Sequence, residues 1–132
     1  MILIKILLVM DQFYNANNGT AISAQRFAEE LMKNGNEIRT LSIGNNKITN
    51  YQVYPKNYGF LINKIINSQD MKLAKPNIEV IKETLNWCDL VHFYMPFTLS
   101  KEAMKIAKKM NKPMTSAFHV QPENISYNIG LR

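Results

Sequence analysis

His119 is the residue around which the most chemistry gathers. It opens a polar loop in which Gln121, Glu123 and Asn124 follow within five residues. A histidine can donate a hydrogen bond to a sugar or phosphate oxygen, and its charge is easily tuned near neutral pH. Glu123 suits a general base, and it equally suits the cap of a following helix at Ile125. A hydrogen-bonded histidine with no further role is the plain alternative for His119.

Two other stretches carry candidate ligand contacts. Asn18, Gly19 and Thr20 stand before a helical pattern, so the amides near Gly19 and Thr20 could cradle an anion at a helix amino end. Asn18-Gly19 is also a common turn. Pro96 and Phe97 end a later apolar run. Several other chemistries are unsupported. G-x-G-x-x-G and G-x-x-x-x-G-K-[ST] are both absent, as is a G-x-S-x-G elbow. His92, His119 and Cys88 show no metal-ligand spacing, so no metal is expected. His92 reads as a satisfied histidine within a strand.

These residues need a scaffold, and the pattern supplies one. Ile6 to Met10 is a short apolar run suited to a strand covered on both faces. Ala24, Phe27, Ala28 and Leu31 then fall on one helical face, and Gly35 suits a left-handed helix end. Glu37 to Ile43 is a second strand, which completes a βαβ unit. Asn50 to Tyr54 suits a short third strand, and Phe60 to Ile66 suits a helix. Pro76 opens a further helix with Ile78, Ile81 and Leu85 inward. Leu90 to Tyr94 is a strand. Ser100 is placed to cap a helix with Leu99, Ala103, Ile106, Ala107 and Met110 inward, which Pro113 stops. Met114 begins a buried strand running toward His119. This alternation predicts an α/β fold with a doubly wound, Rossmann-like parallel sheet. Ligands of such sheets sit outside the carboxyl ends of the strands. The loops at 15–20, 95–99 and 119–124 should therefore meet at one edge.

At 132 residues the chain is one ordinary domain. Its hydrophobic fraction of 46% and charged fraction of 20% are those of a soluble globular protein. The single cysteine, Cys88, excludes an internal disulfide framework and points to a cytoplasmic setting. A net charge of +6 favours anionic partners. No nucleic-acid partner is expected, for want of an arginine-rich run or an RNA-binding signature. Lys5 and Asp11 interrupt the apolar start, so it is neither a signal peptide nor a membrane span. Tyr51, Tyr54, Lys56, Tyr58, Phe60 and Lys64 mix aromatics with cations, as segments at the headgroup level of an anionic bilayer do. A helix packed on the sheet with snorkelling lysines gives the same mixture. Self-association through an exposed sheet edge is a further expectation.

Three stretches together resemble a known family. These are Asn18-Gly19-Thr20 through Leu31 with Asn34 to Ile38, then Asp89 to His92 with Pro96-Phe97, and above all Phe118 to Asn124. The chain resembles the N-terminal domain of a family 4 retaining glycosyltransferase of the GT-B fold. It looks most like bacterial enzymes that glycosylate diacylglycerol, to which Ala74-Lys75-Pro76-Asn77 is also similar. The family usually has two glycines in the first loop, where this chain has Asn18 and Gly19.

The resemblance implies roles for the singled-out residues. His119 would face the sugar at the reaction centre. Gly19 would lie against the donor phosphates or the acceptor, with Asn18 and Thr20 beside it. Pro96, Phe97, Gln121, Glu123 and Asn124 would shape the acceptor pocket. The parent enzyme would move a hexose from a nucleotide sugar to a lipid hydroxyl, with no cofactor. Residues 1–132 would be its acceptor-side part, inactive alone, since a GT-B enzyme needs a second, donor-binding domain. A peripheral contact on the inner face of the cell membrane would bring it to its acceptor. The alternative is a stand-alone, non-catalytic α/β module that binds a phosphorylated ligand or a partner protein.

Overall fold

Successive residues of the first strand feed two different cores, and this sets the architecture. In β1 (Lys5–Val9), Leu7 and Val9 join one hydrophobic cluster, while Ile6, Leu8 and the following Met10 join another. Side chains alternate across a strand, so a continuous apolar run requires cover on both faces. The computed structural model describes residues 3–13, 19–44, 48–55, 73–95 and 97–117.

After β1 come α1 (Gly19–Lys33), β2 (Glu37–Ile43), β3 (Asn50–Pro55) and β4 (Ala74–Lys75). The second half holds α2 (Ile78–Trp87), β5 (Leu90–Phe93), α3 (Thr98–Lys109) and β6 (Met114–Ser116). The sheet order is β4-β3-β2-β1-β5-β6. All neighbours pair in parallel except β3 and β4, a two-residue antiparallel contact. Helix α1 packs through Ala21, Ala24 and Ala28 on the face of Ile6 and Leu8. Helices α2 and α3 pack on the other face through Ile81, Leu85, Leu99, Ala103 and Ala107. The doubly wound α/β sheet predicted from the pattern is therefore present. The short β4 makes it mostly, not wholly, parallel.

Several local predictions need correction. Phe27 was expected inward, but it is 44% exposed, because the three alanines form the contact stripe and let α1 lie close to the sheet. Helix α3 starts at Thr98 with Phe97 as its N-cap, and no side chain caps it. Ser100 thus lies inside the first turn and is buried. The burial of Leu99 goes with a start three residues earlier than a serine cap would set. Pro76 lies before α2, whose cap is Asn77, its Oδ1 accepting from the Val80 amide at 3.3 Å. Ile78, expected on the inward stripe of α2, is 43% exposed, because only Ile81 and Leu85 of the three turn into the core. Strand β6 is half-exposed to exposed, not buried, since it is the outer strand of the described sheet.

Helix ends follow glycine and asparagine. Gly35 has φ 96°, its amide donates to the Met32 carbonyl, and the Asn36 amide donates to that of Leu31. Asn111 (φ 54°) plays the same part after α3, with Lys112 donating to the Ala107 carbonyl at 2.9 Å. The left-handed residue thus ends α3 before Pro113 is reached. The expected helix over 60–66 lies outside the described residues.

Candidate ligand-binding site

The five parallel strands run β3-β2-β1-β5-β6, so the order reverses between β1 and β5. Crossovers leave that point in opposite directions, which opens a crevice at the carboxyl ends of the two strands. A groove of about 800 Å³ lies there. The amino end of α1 contributes Gly19, Thr20 and Ser23, with Phe27 one turn further on. His92 comes from β5, Tyr94 from just past it, and Ala117 from just past β6.

His92 is fixed from three sides. Its Nδ1 lies 2.6 Å from Oγ1 of Thr115, its register partner on β6. Its ring meets Tyr94 edge-on with centroids 4.7 Å apart, and Phe27 at a tilt at 5.7 Å. Burial lowers its pKa below the usual 6.5, because the charged imidazolium is the form that loses most when water is withdrawn. The same cause raises the Tyr94 hydroxyl well above its ordinary range. That hydroxyl is buried and has no hydrogen-bond partner among the described residues.

Gly19 is not a glycine for steric reasons within the protein. A Cβ built there meets nothing within 4 Å, so the missing side chain leaves open space at the groove. Charge is distributed unevenly. Among the described residues none that lines this groove is cationic. Lys82, Lys105 and Lys109 instead border a second depression between α2 and α3, on the other side of the sheet.

Of the residues singled out from the sequence, Gly19 and Thr20 line the groove. Phe97 does not; it caps α3, its carbonyl accepting from the Lys101 amide at 3.0 Å. Asn18, Pro96, His119, Gln121, Glu123 and Asn124 lie outside the described residues. The amino end of α1, through Gly19 and Thr20, and the end of β6, through Ala117, meet at the groove, while most of the loops at 15–20 and 119–124 lies outside the described residues. Sequence reasoning missed Ser23, Phe27 and Tyr94 and gave His92 a purely structural part. Its hydrogen bond to Thr115 fits that part, but the ring also faces the groove. The signal available was the i, i+2 spacing of His92 and Tyr94, which puts both on one face of the sheet.

No family model matches the sequence, and no curated protein does. Among solved structures the chain is similar to the C-terminal domain of a hydrogenase from Pyrococcus furiosus. The TM-score is 0.53 at 18% identity, over 86% of this chain and 91% of that one. At that identity the likeness bears on the fold alone. The chain is an α/β protein with a Rossmann-like fold.

Proposed function

We propose that this chain is the acceptor-side domain of a retaining GT-B glycosyltransferase that moves a hexose from a nucleotide sugar to a lipid hydroxyl of the diacylglycerol type. The observation that carries the reading is the groove at the strand-order reversal. Gly19 and Thr20, two residues of the resemblance, line it beside Ala117, the residue that leads into Phe118 to Asn124. A second domain closing over this edge would bring the nucleotide sugar. Catalysis would then rest on stabilising a cation-like sugar and the departing diphosphate between the two halves.

Peripheral membrane contact belongs to the same reading. Among the described residues no helix is long and apolar enough to cross a membrane. Tyr54, at 66% exposure, offers an aromatic surface next to Lys56, Tyr58 and Lys64 in sequence. Sedimentation with anionic vesicles at low salt should retain the chain, and added salt should release it.

Thermal shift with separate ligands tests the transferase reading, because a ligand that binds only the folded state raises its stability. Diacylglycerol in mixed micelles should raise the Tm. A shift with a small phosphometabolite and none with lipid would sink this reading and favour the non-catalytic module. Sugar transfer by residues 1–132 alone would overturn the proposal that this part is inactive.

A further inference from the structure

The groove's own side chains say which part of a ligand it takes. A net charge of +6 would lead one to expect a phosphate site, yet among the described residues no lysine or arginine lines the groove. Among the described residues the groove is lined by a half-buried histidine, by Phe27 tilted against its ring and Tyr94 edge-on to it, and by Ser23 and Thr20. Phosphate sites on proteins draw on Arg, Lys or a charged histidine, often with helix amides. Hydroxyl-bearing rings are held by neutral donors and acceptors, with their C–H faces laid on aromatic rings, whose faces carry partial negative charge.

We propose that His92, oriented by Thr115, is a specificity-determining residue that hydrogen-bonds a neutral, hydroxyl-bearing ring in this groove, with Phe27 as the apolar platform beside it. The inference rests on the transferase reading and narrows it: the groove holds the sugar or polyol portion of a substrate, not its phosphate. The geometry gives each residue a task. The Thr115 contact occupies Nδ1, so Nε2 is the remaining polar atom of the ring and its direction is set from β6. The contacts with Phe27 and Tyr94 fix the ring plane from α1 and β5. Leu8, its register partner on β1, lies beside it in the sheet and is apolar. Among the described residues that line the groove with His92, Tyr94 is the one other titratable group, and burial raises its hydroxyl well above the ordinary range.

NMR of the full chain with labelled histidine rings provides the test. Two histidines are present, and His92→Gln assigns the His92 signal. Methyl glucoside should move the His92 ring resonances, and inorganic phosphate should not. Affinity for the glucoside should fall as the pH is lowered far enough to protonate His92, whereas a phosphate site would strengthen. Thr115→Val should weaken binding about fivefold, the equivalent of one neutral hydrogen bond of about 1 kcal/mol. Thr115→Ser should restore it, which a merely structural role for Thr115 does not require. A His92 signal that answers to phosphate, or that ignores the glucoside, would overturn the proposal. Equal binding by Thr115→Val would overturn the part given to Thr115. If the glucoside fails while diacylglycerol still raises the Tm, His92 is wrong and the transferase reading stands.

Discussion

The carboxylate of Asp11 accepts the backbone amide of Ala74 at 2.6 Å, across 63 residues of chain. Asp11 is buried at the carboxyl end of β1, and its own carbonyl accepts from the Ile43 amide at 3.0 Å. One residue thus ties together β1, the end of β2 and the short returning strand β4. A carboxylate is a strong acceptor for a buried amide, but it carries a desolvation cost that only partial compensation meets here. Its second oxygen has no partner among the described residues.

The pH dependence follows from that site. Burial raises the Asp11 carboxyl above its ordinary 3.8, outweighing the hydrogen bond from Ala74. Between 3.8 and the raised value the folded state holds more protons than the unfolded state, so this group's contribution falls as pH rises. Asp11→Asn removes the titration. Relative to wild type, the variant should gain stability as pH goes from about 4 to 7. Asp11→Ala leaves the Ala74 amide without its acceptor and should cost about 1–3 kcal/mol. Denaturant melts at both pH values read both effects. A wild-type and Asn pair with parallel pH profiles would rule out the assignment.

Ser100 offers a stabilising change. Its hydroxyl is buried in the first turn of α3 and has no partner among the described residues. Ser100→Ala removes that group and installs the best helix former, so a gain of about 1 kcal/mol is expected. In a chain of this size that is a rise of a few degrees in Tm. A lower Tm would mean that the hydroxyl is satisfied after all.

Gly19→Ala separates fold from function. Open space surrounds the position, so the variant should melt within about 0.5 kcal/mol of wild type. The methyl group projects where a ligand must approach, and diacylglycerol or methyl glucoside should bind more weakly. A large loss of stability would show that the glycine serves the protein's own packing.

Cys88 should be slow to react. It is 1% exposed, and burial raises its thiol to about 11, so little thiolate exists at neutral pH. Alkylation with iodoacetamide should become rapid only in denaturant. Fast labelling of the native chain would contradict the packing of α2 against the sheet.

Phe27→Ala should let water reach His92. Burial is what lowers the His92 pKa below 6.5, so the variant's ring should titrate closer to that value by NMR. In wild type, between the lowered value and 6.5, the unfolded state binds more protons, and stability is lost as pH falls through that window. The variant should show less of this loss. An unchanged titration would remove Phe27 from the ring's surroundings.

The sequence pattern carried the sheet well, for a physical reason. Runs such as Ile6 to Met10 are apolar on both faces only in a covered strand, and the helical stripes repeat at a period that strands cannot share. The details it hid depend on contacts distant in sequence. β4 is two residues long and owes its place to β3 and to Asp11, so no local pattern marks it. Phe27 lost the inward position to alanines, because close packing of α1 favours small residues. The groove was legible in outline through Gly19 and Thr20. His92 and Tyr94 were not, because a strand's periodicity says that two residues share a face but not which helix covers it.

Arg39 lies over the ring of Trp87 at 4.3 Å and donates to the hydroxyl of Tyr51. Trp87 is the chain's single tryptophan, and it packs on the layer of α2 and α3, across the sheet from His92. Its emission is therefore a built-in reporter for one half of the molecule. Unfolding strips the guanidinium from the indole and shifts the signal. A ligand settling beside α1 leaves it dark to the event, so fluorescence melts and histidine NMR read opposite faces of the same sheet.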